Sequence, residues 1–206
     1  MIAIVDYGVG NLFSLSHSLM AVGAETVVTG DAEVIRRADR VILPGVGAFG
    51  DAAAKLLETK LDALMRDVAA AGTPVMGICL GMQLLLEKSY EFGEHAGLGL
   101  IPGEVRPIAG VIPADYKIPH IGWNRLDVTV PHPIFKSVKP GDCVYFVHSF
   151  YGANCDDSVI ATAEYGADLT AAVAKGNVCG CQFHPEKSGD VGLGILRAFC
   201  EWRGEV

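Results

Sequence analysis

Residues 74–83 read PVMGICLGMQ. The apolar run at 74–78 reads as a buried strand, and residues 80–88 (LGMQLLLEK) read as a helix. Gly77 and Gly81 bracket Cys79 at the junction. A strand that turns into a helix this abruptly is an α/β device, and its tight turn needs small flanking residues.

The pattern extends toward the N-terminus. Residues 2–5 (IAIV), 25–28 (ETVV) and 40–43 (RVIL) are short apolar runs, each ending in turn chemistry. Between the first two, Asn11 can cap a helix carrying Leu12, Leu15, Leu19 and Met20 on one face, with Gly23 as its stop. Residues 51–71 carry Ala52, Leu56, Leu57, Leu61, Leu64 and Val68 at helical spacing, with a break near Thr59-Lys60. Strands alternating with helices over residues 1–90 predict a parallel sheet with right-handed crossovers. Ligands of such sheets bind at the carboxyl ends of the strands.

The second half changes character. Residues 102–133 hold six of the ten prolines. Short strands are expected at 126–130, 143–147, 158–163, 170–174 and 178–183, as antiparallel hairpins or a meander. A closing helix over 190–203 places Val191, Ile195, Leu196, Phe199 and Trp202 on one face. No repeat or linker interrupts the 206 residues, so one domain over 1–206 is expected.

Composition excludes several classes. Half of the chain is hydrophobic and 19% is charged, which is incompatible with a disordered chain. The formal charge is −8 and the longest basic cluster is Arg36-Arg37, so no nucleic-acid partner is expected. The 25 glycines fit many tight strand–helix turns. None of the six cysteines forms a Cys-x-x-Cys pair, and no metal or cofactor is expected. No apolar run approaches 20 residues and the N-terminus lacks a basic segment, so no membrane span and a cytoplasmic chain with reduced thiols are expected.

Cys79 reads either as strand packing or as a nucleophile on a strained elbow, where the following amide, that of Leu80, can donate to an oxyanion. A thiolate needs a base oriented by a third group. Of the six histidines, His184 ends a strand, and Pro185 stiffens a turn that lets Glu186 reach back to the ring. Taken alone, it reads equally as a capping histidine beside a solvated glutamate.

GICLGMQ at 77–83 and QFHPEKS at 182–188 are similar to the two hallmark segments of class I, triad-type glutamine amidotransferases. DYGVGNL at 6–12, LPGVGAF at 43–49, PHIGWN at 119–124 and YFVHSF at 145–150 resemble one branch of that family, along nearly the whole chain. The resemblance implies an α/β fold: a flavodoxin-like, mostly parallel central sheet flanked by helices, with an antiparallel region in the second half. It implies a Cys79, His184, Glu186 triad that hydrolyses glutamine to glutamate and ammonia through a thioester. It implies an oxyanion hole from Leu80 and from the Gly45–Val46 peptide of Pro44-Gly45-Val46-Gly47, a segment that otherwise reads as a plain turn. Gly47, Gln83, His148, Ser149 and Phe150 are the implied glutamine-binding residues. From spacing alone, Gln83 could equally be a surface helix residue and Ser149 strand packing. Phe150 stands where the family shows tyrosine; the lost hydroxyl matters little if the backbone holds glutamine, and puts the subunit contact in doubt if the hydroxyl served it. The implied partner is a (β/α)8-barrel synthase (cyclase) subunit, forming a heterodimer that receives the ammonia. Asn11, Trp123 and Lys187, read as lying in motif loops, are the implied partner contacts, although Trp123 reads equally as a core tryptophan.

Overall fold

A computed structural model describes residues 1–204. The first half alternates as β1 (Ile2–Val5), α1 (Leu12–Ala21), β2 (Thr26–Thr29), α2 (Ala32–Arg36), β3 (Arg40–Leu43), α3 (Phe49–Glu58), α4 (Leu61–Ala70), β4 (Val75–Ile78) and α5 (Leu80–Leu85). The second half supplies β5 (Lys88–Ser89), β6 (His95–Ala96), β7 (Glu104–Pro107), β8 (His120–Arg125), β9 (Asp127–Val128), β10 (Cys143–His148) and β11 (Phe150–Ala153). It continues through β12 (Val159–Glu164), β13 (Asp168–Lys175), β14 (Val178–Cys181) and α6 (Gly189–Glu201).

The central sheet runs β2-β1-β3-β4-β14-β13-β12-β9. Its pairs are parallel from β2 to β14 and antiparallel from there to β9. β4 and β14 are buried along their whole length, which is why VMGI and VCGC read as unbroken small and apolar runs. Helices cover both faces, and each face has its own core. Leu43, Phe49, Leu56 and Met65 pack on one side, and Ile4, Leu19, Phe183 and Phe199 on the other. Two smaller sheets, β10-β8 and β11-β7-β5-β6, stand beside the central one.

Several expectations need correcting. The helix expected to 88 ends at Leu85, because Leu86 is extended (φ −72°, ψ 173°). Its last carbonyls are taken by another segment instead: Leu84 O accepts from Leu98 N at 2.8 Å, and Leu85 O from Leu100 N at 2.9 Å. Met20 is 59% exposed, while Leu15 and Leu19 of the same helix are buried. The strand expected at 126–130 is shortened to β9, and β8, just before it, holds Trp123 on a strand and not in a loop. No strand was expected where β5, β6, β7, β8 and β11 form, and no helix where α2 forms. The break between α3 and α4 falls at Thr59 and Lys60, where Lys60 takes φ 59°.

Three histidines are buried outside the Cys79–His184 pair. Burial lowers His120, His132 and His148 each from 6.5 to about 4. These bases are neutral when folded, so the unfolded chain binds more protons between pH 6.5 and 4. Their contribution is complete above pH 6.5 and is lost as pH falls through about 4. The melting temperature should therefore drop steadily over that interval. A flat profile from pH 7 to 4.5 in a thermal titration would contradict this.

Candidate active site

The end of β4 sets the geometry. Cys79 occupies φ 54°, ψ −110°, a conformation that costs a non-glycine residue about 1–3 kcal/mol. Its amide donates to Cys181 O at 2.8 Å and its carbonyl accepts from Gln83 N at 3.2 Å, so the strain is held between β14 and α5. The flanking glycines are required by close approach. A Cβ on Gly81 would lie 1.9 Å from Leu43 O, and one on Gly77 would lie 2.6 Å from Gly81 O. Gly45 is similarly confined, with Leu80 Cβ and Tyr7 Oη each 2.9 Å from where its Cβ would stand.

His184 follows β14 on the neighbouring strand. Its Nδ1 hydrogen-bonds Glu186 Oε1 at 2.7 Å, and both side chains are only 3% exposed. That bond leaves Nε2 for the hydrogen bond to Cys79. Burial pushes His184 down, but the hydrogen bonds and charges of Cys79 and Glu186 outweigh it and raise the imidazole to about 9. The turn is fixed from behind. Ser188 Oγ donates to His184 O at 2.6 Å and accepts from Tyr145 N at 3.0 Å.

Cys79 and His184 open on a cavity of about 380 Å³. Val46, Gly47, Leu80, Gln83 and Lys187 line it, with His148, Ser149 and Phe150 on the opposite wall. Gly45 lies beneath the cavity and does not line it. Gln83 is buried and not a surface residue. Its Nε2 donates to Phe150 O at 3.1 Å and to Gln182 Oε1 at 2.9 Å, so both amide protons are engaged inside the protein. What Gln83 retains for a ligand is its carbonyl oxygen.

The far wall is neutral. His148 Nδ1 donates to Phe150 O at 2.8 Å, which makes its Nε2 the acceptor from His120 Nδ1 at 3.0 Å. His120 is stacked between Phe146 and Tyr165. Of the histidines lining the cavity, His184 is the cation at neutral pH and His148 is not. The Phe150 carbonyl thus accepts from two side chains, while its ring meets Phe92 edge-on at 6.1 Å.

The implied partner residues come from three segments, and two of them, Trp123 and Lys187, both lie against the Tyr145 ring. Asn11 caps α1, accepting from Ser14 N at 3.4 Å, and does not line the cavity. Trp123 is 58% exposed, so the core alternative fails, and its ring lies edge-on to Tyr145 at 6.2 Å. Lys187 is exposed at the cavity rim.

Three residues escaped the sequence reading. Glu91 lines the cavity and accepts from Phe49 N at 2.7 Å; among the described residues lining it, this is the one carboxylate. Tyr7 is buried and donates to Pro44 O at 2.8 Å, under the Gly45–Val46 peptide. Gln182 is wholly buried between Gln83 and Cys79. Only Gln182 had a usable signal, since it sits two residues before His184 in an extended segment and so shares its face.

Residues 3–200 match the family described as glutamine amidotransferase class-I. Curated relatives named imidazole glycerol phosphate synthase subunit HisH include one from Bacillus cereus (strain G9842), 49% identical over 97% of this chain and 93% of its own length. One from Geobacillus kaustophilus (strain HTA426) is 50% identical over 97% and 95%, and one from Lactococcus lactis subsp. lactis (strain IL1403) is 49% identical over 97% and 98%. Solved structures share the fold. PurLQS from Thermotoga maritima aligns with a TM-score of 0.76 at 23% identity, covering 97% of each chain. A structure described as glutamine amidotransferase gives 0.75 at 20%, covering 97% of this chain and all of the other. A strained cysteine elbow beside a glutamate-held histidine, on a chain matched from residue 3 to residue 200, belongs to the class I glutamine amidotransferase family.

Proposed function

We propose that this chain hydrolyses glutamine to glutamate and ammonia as the glutaminase subunit of imidazole glycerol phosphate synthase in histidine biosynthesis, working as one amidotransferase domain. The observation that carries the chemistry is the raised, glutamate-held His184 beside the Cys79 elbow. The identity of about half with full-length HisH relatives supports the acceptor assignment.

Cys79 thiolate attacks the carboxamide carbon, forming the C–S bond while the carbonyl electrons move to oxygen. The amides of Leu80 and of Val46, the latter belonging to the Gly45–Val46 peptide, hold that oxyanion. His184 gives its Nε2 proton to the amine, and ammonia leaves as the carbonyl reforms, giving a γ-glutamyl thioester. The thioester no longer carries the Cys79 charge or its hydrogen bond, so His184 loses two of the influences that raise it and becomes the base for water. Addition of hydroxide then releases glutamate and returns Cys79 to thiolate.

The amino-acid end of glutamine lies against Glu91, the Gln83 carbonyl, Gly47 and the Ser149–Phe150 wall. An α-ammonium needs acceptors, and Glu91 with the Gln83 oxygen provides them. Glu91→Gln keeps an acceptor for Phe49 N but removes the charge. Its KM for glutamine should rise about 10–100-fold, with kcat within a few-fold. An unchanged KM in steady-state assays would remove Glu91 from the site.

The partner is a (β/α)8-barrel synthase (cyclase) subunit that takes the ammonia into imidazole glycerol phosphate and aminoimidazole carboxamide ribotide. Exposed Trp123 and Ile121 on β8, with Lys187 at the rim and Asn11 at the head of α1, form the proposed face. The proposed compartment is the cytoplasm, consistent with six free cysteines. Among the described residues, no helix is long and apolar enough to cross a membrane.

The test is glutamate release by the chain alone, with the barrel subunit, and with barrel plus ribotide substrate. Release should be weakest alone and rise with the full set, by about 10²–10³ if one oxyanion donor is completed. Full-speed release by the isolated chain, or no stimulation, would overturn the subunit assignment.

A further inference from the structure

We propose that Gln182 is a positioning residue for the nucleophile, holding the Cys79 sulfur in place through its side-chain N–H; this rests on Cys79 being the nucleophile. Gln182 Nε2 lies 3.7 Å from Cys79 Sγ, within reach of an N–H···S hydrogen bond. The side chain is 0% exposed and its backbone amide is tied to Ala171 O at 2.8 Å, so it has no freedom to turn elsewhere.

The orientation of the amide is dictated by its neighbours. Phe150 O can only accept, so Gln83 presents its nitrogen there, at 3.1 Å. The second proton on that nitrogen requires another acceptor, which is Gln182 Oε1 at 2.9 Å. With its oxygen fixed, Gln182 presents its NH₂ group to the sulfur. Gln83 donates both ways, to Phe150 O and to Gln182 Oε1, and Gln182 donates onward to Sγ.

The sulfur needs such a partner. Cys79 packs among apolar side chains that include Met76, Ile78 and Phe183, where a bare anion is disfavoured. His184 supplies one hydrogen bond to it. The Gln182 amide supplies another. It also fixes where Sγ stands before the substrate arrives.

Peptide-resolved mass spectrometry of iodoacetamide capture across pH tests this on the full chain, with exposed Cys143 as internal control. Gln182→Met keeps the length without the donor, and Gln182→Asn keeps the amide but falls short by one methylene. In both, Cys79 capture at pH 7 should fall about tenfold and its profile should shift to higher pH, while Cys143 is unchanged. In the assay with the barrel subunit, kcat should fall about tenfold with KM for glutamine within twofold. A role confined to packing would leave the Cys79 profile in place. Wild-type Cys79 reacting no faster than Cys143 would bring down the nucleophile reading, and this proposal with it. A fast wild-type thiol whose profile survives both substitutions would overturn the role of Gln182 alone.

Discussion

Cys79→Ala should abolish glutamate release, by about 10⁴-fold or more, even with the partner and its substrate present. The loss follows from the covalent step, because no other described thiol shares the cavity with His184. A second substitution separates chemistry from strain. Cys79→Gly is equally inactive, yet it removes the Cβ from a residue at φ 54°. Both variants lose the sulfur, so their difference reports the cost of a side chain at the elbow. The glycine chain should be the more stable of the two by about 1 kcal/mol, after allowing for the greater unfolded-state freedom of glycine. For a chain of this size that is about 2–4 °C in melting temperature. Equal melting temperatures would mean that the elbow stores no strain. Without the thiol, His184 also loses the Cys79 contributions that raise it, so its titration should move down from about 9 in either variant, as read by imidazole NMR shifts.

Gly81→Ala should be more damaging to the fold than any of these. The new methyl would need to sit 1.9 Å from Leu43 O and 2.9 Å from Leu43 C, which are backbone atoms of β3 and cannot rotate away. Either α5 withdraws from the sheet or the end of β3 is pushed out. Overpacking against fixed backbone costs about 3 kcal/mol or more, which is about 6–12 °C in melting temperature. Activity should fall further than stability, since the displaced strand leads directly into Pro44 and the Val46 amide. A Gly81→Ala chain with wild-type stability and glutamate release would show that this approach is not needed.

The Cys79 elbow and the His184–Glu186 pair are legible in the sequence because each carries a local signature: glycines around Cys79, and a proline between His184 and Glu186. The parallel half was legible because each strand is an apolar run bounded by turn residues. The rest depends on pairings that no local pattern announces. β8 and β10 are joined by 17 residues that include three prolines, and their register places His120 opposite His148. β5 and β6 are two residues each and too short to show alternation, yet the turn between them delivers Glu91 to the cavity. Tyr7 sits in turn chemistry, yet it is buried in the core and hydrogen-bonded to Pro44 O, 37 residues away in the sequence. Gln83 was assigned to the right wall, but its amide protons turned out to be committed to Phe150 and Gln182, which spacing along α5 cannot reveal.

β14 is the strand on which the sheet changes sense, parallel to β4 on one side and antiparallel to β13 on the other. Cys79 and His184 leave adjacent strands of that seam, so their separation is inherited from the ladder spacing of about 4.8 Å between neighbours. Neither strand offers an exposed residue to a visiting molecule. Val46 and Gly47, just beyond β3, are both exposed. In engineering language, the proposed reacting pair is bolted to the chassis, and the proposed donor stands on the outer casing. Under the proposed mechanism, a partner that touches Val46 and Gly47 would change how well charge is received without altering which atoms react.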